Sequence, residues 1–273
     1  MSFYPALILI IGMAVLSLAF RTIAHPIAQK LGLICLLTTS FLIGYLPGDS
    51  WIMGILCVST WLLLPWLEIL TRIRRLRLPA DKKLSARRPP SRDLFPDLDD
   101  LTEEIEENGF AYLDDAGWDW ENHSQFFRLF YREEDRLQGA ICLVDQEQLA
   151  FFYLMISTRT SDGKLWTTWN YPFSSALKFA PAVTVSRVRA GLSFSQMLEA
   201  HQHLLDKKGI TLADVVPLTP EEMQAAMQKE LYAQLDHNLR AGVLTKTNEG
   251  KLRYSWRGLF YIWCQFLRDV VRL

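Results

Sequence analysis

The sequence predicts a membrane-anchored α+β protein: an anchor of three transmembrane helices, then a cytoplasmic α+β domain with an antiparallel meander sheet flanked by helices. Three observations carry this expectation. Apolar runs of bilayer-spanning length fill the first 71 residues, where Arg21, Lys30, Asp49 and Glu68 are the formal charges. The apolar period changes to two between Phe110 and Ala190 and returns to helical after Gly191. The third run, Trp51 to Leu70, ends against Arg72, Arg74, Arg75 and Arg77, which cannot follow it into hydrocarbon.

A chain of 273 residues is long enough for one or two domains with a buried core. Its net charge of -1 averages an apolar third with a polar remainder, so the overall balance favours no partner class. The four cysteines, Cys35, Cys57, Cys142 and Cys264, form no C-x-x-C pair, so neither a disulfide framework nor a zinc knuckle is visible. They read as small hydrophobes on a reducing side of the membrane.

The first span covers Phe3 to Phe20. Cleavage as a signal peptide near Ser17 and Ala19 is the competing reading, but no positive segment precedes the run and two more runs follow it. Pro26 suits a first helical turn, so the second span runs from Ile27 to Leu46, with Lys30 reaching back to the interface. Pro47 and Gly48 end it, and Asp49 and Ser50 are placed to cap the third span. The Arg21 to Lys30 loop and the segment after Leu70 are basic. This charge bias places the N-terminus outside and the domain in the cytoplasm, at a plasma membrane or bacterial inner membrane. Three spans without intramembrane charges or broken helices argue against a transporter.

A basic juxtamembrane linker follows over residues 72–92. It contains Arg72, Arg74, Arg75, Arg77, Lys82, Lys83, Arg87 and Arg88 against the single acid Asp81 up to residue 88, and Pro79, Pro89 and Pro90 keep it from being one helix. Anionic lipid headgroups are its simplest partner, worth about 1 kcal/mol per basic residue at the surface, whereas nucleic-acid binding needs a folded basic face. The charge then reverses. Asp93, Asp97, Asp99, Asp100, Glu103, Glu104, Glu106 and Glu107 surround Leu98, Leu101 and Ile105 at helical spacing, with Asn108-Gly109 as the stop. No histidine interleaves with these carboxylates, so no metal site is expected.

Strands are expected over Phe110 to Leu113, Gln125 to Arg132, Ala140 to Val144, Leu149 to Arg159, Leu165 to Asn170 and Ala182 to Arg189. Turns are expected at Asp114 to Gly117, Glu133 to Arg136, Asp145 to Gln148 and Ser161 to Lys164. Asp162-Gly163 is the clearest hairpin signal among them. Adjacent pairs such as Phe126 with Phe127 and Phe151 with Phe152 point to opposite faces of a strand. The second face is therefore either covered or a binding surface, and ordinary core packing is the stronger reading. If it is a surface for a ligand or partner, Trp118, Trp120, Trp166, Trp169 and His201 are its candidate residues.

Ser193 with Gln196 predicts a capping box, followed by a helix with Phe194, Met197, Leu198, His201, Leu204 and Leu205 on one side and Gly209 as its stop. His201, in the middle of an apolar face, reads as a hydrogen-bonded core histidine before a ligand or catalytic group. Thr219-Pro220-Glu221-Glu222 opens another helix, with Met223, Met227, Leu231 and Leu235 as its stripe. A small hairpin follows over Val243 to Thr247 and Lys251 to Trp256. The last helix, Trp256 to Leu273, divides sharply between an apolar side with Trp256 and Trp263 and a basic side with Arg257, Arg268 and Arg272. That division suits either the membrane interface or packing onto the spans or a partner subunit.

The domain organisation expected is thus an anchor over 1–71, the linker over 72–92, an α+β domain over 93–215, and a helix, hairpin and interfacial helix over 216–273. Glycine-rich nucleotide loops, serine-nucleophile elbows and zinc-protease motifs are absent from the sequence, and no catalytic residue, cofactor or metal is assigned. The favoured function is a scaffold or accessory subunit of a membrane complex, with the lipid bilayer and a protein as partners and no nucleic acid. A membrane-tethered sensor or binding module for an apolar ligand or lipid is the alternative, and a membrane-bound enzyme comes third.

Overall fold

A computed structural model describes residues 3–23, 25–81, 83–121, 123–146 and 149–272. The chain forms two compact units. One comprises residues 1–76, 174–176 and 253–273, and the other residues 77–173 and 177–252. The division after Leu76 falls within the stretch expected to be a linker.

In the first unit, α1 covers Phe3–Thr22, α2 Pro26–Gly48 and α3 Trp51–Thr71, with a 3-10 turn at Ile73–Arg75. Tyr4–Thr22, Ile27–Gly48 and Trp51–Arg75 are each long and apolar enough to cross a membrane. Their junctions follow the local chemistry. His25 Nδ1 accepts from the Ile27 N–H at 3.3 Å ahead of Pro26, and Asp49 turns the chain in the left-handed region at φ 46°. Ser50 sits at the start of α3 but its side chain accepts no capping bond, contrary to the sequence reading. Pro47 is accommodated in the last turn of α2 and does not end it.

The helices are joined by small residues and polar bonds. Ser17 Oγ donates to the Gly32 carbonyl at 2.7 Å, Trp61 Nε1 donates to Ser40 Oγ at 2.8 Å, and Gly44 lies against the Met53 backbone with no room for a side chain.

The second unit is built on a seven-stranded sheet: β1 (Ser85–Ala86), β2 (Ala111–Trp120), β3 (His123–Arg132), β4 (Leu137–Gln146), β5 (Leu149–Arg159), β6 (Leu165–Trp169) and β7 (Val183–Arg187), side by side in chain order. Neighbours are antiparallel except β6 and β7, which are parallel. The expected all-antiparallel meander is corrected there. A parallel neighbour needs a long crossover, and residues 170–182 supply one.

The expected turn at Asp114 to Gly117 is also wrong. The chain continues as strand through a bulge between Tyr112 and Asp114 and turns instead at Glu121, which adopts φ 50°. Two tertiary features keep this polar stretch extended. Asp115 pairs with Arg128 on β3 at 2.9 Å, and Gly117 lies against the Gln125 backbone where a Cβ would collide. β1, which the sequence did not announce, is fixed by pairing with Ala116 and Gly117.

Four helices complete the described chain: α4 (Leu98–Glu107), α5 (Phe194–Lys207) and α6 (Pro220–Arg240) in the second unit, and α7 (Trp256–Arg272) in the first. A hairpin of β8 (Leu244–Lys246) and β9 (Leu252–Tyr254) precedes α7. The Ser193 capping box forms as predicted, and Glu222 Oε2 accepts from the Thr219 N–H at 3.0 Å.

The sheet has a core on each face. Phe126, Phe130, Ile141, Leu154 and Ile156 meet Leu98 and Ile105 of α4 and Phe194 and Met197 of α5. On the other face Ala116, Trp118, Phe127, Leu129, Cys142 and Tyr153 meet Met223, Met227 and Leu231 of α6. α6 also ties down irregular backbone through its amides. Gln228 Oε1 accepts from the Leu84 N–H at 2.6 Å, and Asn238 accepts from the Lys178 N–H and donates to its carbonyl, each at 2.9 Å.

Candidate functional site

The residues singled out in the sequence do not converge. Trp118 is buried beside Phe127, ring centroids 5.2 Å apart, and Trp120 stacks on His123 at 4.7 Å. Trp169 sits in an aromatic cluster with Tyr153, Tyr171 and Phe179. β2 and β6 are four strand spacings apart, about 19 Å, so Trp118 and Trp169 cannot line one small pocket. Trp166 is on the opposite face from Trp169, with Lys208 over its ring at 6.0 Å.

His201 is fully buried. Its Nε2 lies 2.8 Å from Thr158 Oγ1 and its Nδ1 2.9 Å from Thr168 Oγ1, so α5 is pinned to β5 and β6 through both ring nitrogens. Burial pushes the imidazole pKa down to about 4, against the opposing pull of the Asp135 charge. Cys142 is equally sealed, and burial pushes its thiol up to about 12, far from the range of a reactive thiolate. Among the described residues, no group of three or more His, Cys, Asp or Glu side chains is placed to hold a metal ion.

The basic stretch is divided between the units. Arg72 pairs with Glu68 at 3.3 Å, both exposed, Arg74 lies 4.6 Å over the Trp256 ring, and Arg75 closes the 3-10 turn. Arg77 begins the second unit. Lys82 lies outside the described residues, and Arg88 is exposed.

Lys83 and Arg87 line a polar cleft of ≈ 300 Å³ with Pro79, Asp81, Ser85, Trp118 and Asp119. Pro79, Asp81, Lys83, Ser85 and Arg87 come from the stretch of chain that leads into and just past β1. Backbone bonds anchor this stretch at its two ends: Leu78 exchanges both bonds with Leu252 at 2.7 and 2.8 Å, and the Arg87 N–H donates to Asp115 O at 2.8 Å. Arg87 pairs with Asp119, whose carboxyl is thereby held below the usual carboxylate range. The Tyr232 hydroxyl donates to Asp81 Oδ1 at 2.5 Å, and this raises the phenol.

The cleft is therefore charge-balanced, and its acids are paired with neighbours instead of aimed at a common point. The sequence did not announce this cleft, because its two stretches are separated by some thirty residues and are joined only by β1–β2 pairing.

The aromatic face contains a second, part-buried charge pair. Arg159 donates to Glu230 of α6 at 2.5 and 2.8 Å and also bonds Gln138, which ties β5, β4 and α6 together. No family model matches the chain, and no curated protein or solved structure matches it either.

Proposed function

We propose that this chain is an integral membrane scaffold or accessory subunit, with its N-terminus outside and its α+β unit in the cytoplasm, where the exterior of that unit binds another protein. One observation carries the reading: both faces of the sheet are filled by the unit's own helices, α4 and α5 on one and α6 on the other. An apolar ligand on the aromatic sheet would have to displace α6, so the observation favours recognition by the outer surface. The outer surface offers a charged face on α4, where Asp99, Asp100, Glu103, Glu106 and Glu107 are exposed. The basic residues after α3 and the three apolar helices support attachment to an anionic membrane surface.

The test is photocrosslinking in native membranes. Benzoylphenylalanine is placed singly at exposed positions around the unit: Glu103 on α4, Lys83 in the cleft and Glu199 on α5. The expected result is a discrete protein adduct from one face and none from the others. Absence of any protein adduct from all three positions, in membranes where the chain is inserted, overturns the proposal.

A further inference from the structure

α7 has three sides, and the one richest in aromatic residues is exposed over much of its length. Its packed side carries Gly258, Leu259 and Ile262, all buried. At 100° per residue, Trp256, Phe260, Trp263, Leu267 and Val270 fall within an arc of about 80° beside that packed side. Trp256, Phe260 and Val270 are 62%, 54% and 43% exposed. Arg257, Tyr261 and Arg268 form the next sector, so the uncovered half of the helix is itself divided into an apolar and a polar strip.

Three contacts set the rotation of α7 about its axis. Trp263 Nε1 donates to the Leu62 carbonyl of α3 at 2.8 Å, and its ring stacks on Trp66 with centroids 6.0 Å apart. Pro65 has no N–H to give the carbonyl one turn back, so the α3 ladder is open beside this contact. At one end, Arg74 covers Trp256. At the other, Asp269 accepts from the Ser174 N–H at 2.7 Å and from its hydroxyl at 2.5 Å.

Leu62 lies six residues before Glu68 and ten before Arg72, about 9 and 15 Å along the helix. Trp263 thus meets α3 well inside its apolar run, while Trp256 lies beside Arg74, at the charged end. The surface of α3 next to the joint is also apolar and exposed at Leu62, Leu63 and Leu67.

We propose that α7 is a fourth membrane element: an amphipathic helix docked on α3 through Trp263, with Phe260, Leu267 and Val270 in lipid, and with Trp256 and Arg257 at the level of anionic headgroups. This rests on the reading that α1 to α3 cross a bilayer. Lipid is the occupant because the strip meets α3 at Trp263 beside Leu62, Leu63 and Leu67, which are apolar and exposed like Phe260 and Val270. Trp256 and Arg257 at its charged end and Phe260 and Val270 beyond them also match the two layers such a helix must satisfy at once.

The test uses full-length protein in vesicles of phosphatidylcholine and phosphatidylglycerol, with Cys57 and Cys264 replaced by serine. Single nitroxide labels are placed through Phe260→Cys, Val270→Cys, Arg257→Cys and, as a reference on α1, Ile8→Cys. Collision with oxygen and with a water-soluble nickel chelate is then compared at each site. The expected result is a severalfold higher oxygen-to-nickel ratio at 260 and 270 than at 257, with 260 and 270 resembling 8. Nickel access at 260 and 270 places the strip in water. Protection from both reagents there places it under a second copy or another protein. Either outcome overturns the proposal while a lipid-exposed label at 8 leaves the spans standing, whereas nickel access at 8 overturns the membrane reading itself. Trp263→Ala is the second variant, expected to raise nickel access at 260 and leave 8 unchanged.

Discussion

In the unit of α1 to α3, large apolar side chains such as Leu63 and Leu67 face outward, 59% and 64% exposed, and the helices meet at Ser17, Gly32, Gly44 and Gly54. In the α+β unit the arrangement is reversed: Phe130, Ile141, Ile156 and Phe194 are fully buried, and charge is either outside or paired inside. The difference teaches which force holds each unit. The sheet is stabilised by removing apolar area from water. The helical unit gains nothing comparable if its surroundings are lipid, and must rely on close backbone approach and interhelical hydrogen bonds.

The largest effect that sharpens this contrast is expected in the sheet. Phe130→Ala should cost about 3–5 kcal/mol in denaturant unfolding of the α+β unit within the full chain. Leu63→Ala on α3 should leave that transition within about 0.5 kcal/mol. Comparable losses from both would dissolve the distinction between the units.

Next come the buried charges. Asp115→Ala leaves the Arg128 guanidinium buried without its carboxylate partner and should cost about 3 kcal/mol. Arg128→Met together with Asp115→Leu should recover most of that loss, because the desolvation cost leaves with the charges. A double variant as unstable as the single one would show that the pair is needed for more than mutual compensation.

A pH dependence of similar size should come from His201. Its folded pKa, about 4, lies below the unfolded value near 6.5, so the unfolded chain binds the proton first as pH falls. The stability this neutral imidazole contributes is present above pH 6.5 and lost as pH falls toward 4, by up to about 3 kcal/mol. His201→Gln should flatten that part of the pH–stability curve; an unchanged slope would assign it to the carboxylates.

The smallest effect is expected in the helical unit. Gly44→Leu forces α2 from the Met53 backbone and should destabilise the α2–α3 hairpin by about 2 kcal/mol. Thermal stability in detergent, with the sheet transition as an internal reference, reads this out. Loss of both transitions together would show that the two units unfold as one.

Much of the fold was legible in the sequence, because local chemistry writes itself into short windows. The apolar runs, the Ser193 and Thr219 boxes and the Asp162-Gly163 turn each depend on residues a few positions apart, and each is present in the structure. The misses share one property. β1 is a strand only because Ala116 and Gly117 pair with it, and Asp114 to Gly117 is extended only because Arg128 and Gln125 lie opposite. The parallel placement of β7 also depends on a partner from elsewhere in the chain. The cleft at Asp81, Lys83, Arg87 and Asp119 was illegible for the same reason.

The sequence by itself determined where water and lipid can each be tolerated: which segments are apolar throughout, which alternate, and where helices start and stop. Those are properties of a residue and its immediate neighbours. Only the tertiary structure decided that α6 closes the aromatic face, that His201 is bound at both nitrogens, and that α7 leaves Phe260 and Val270 exposed while Trp263 grips α3. Periodicity records that a side chain must be covered, but the partner that covers it can come from more than a hundred residues away, and no local pattern names it.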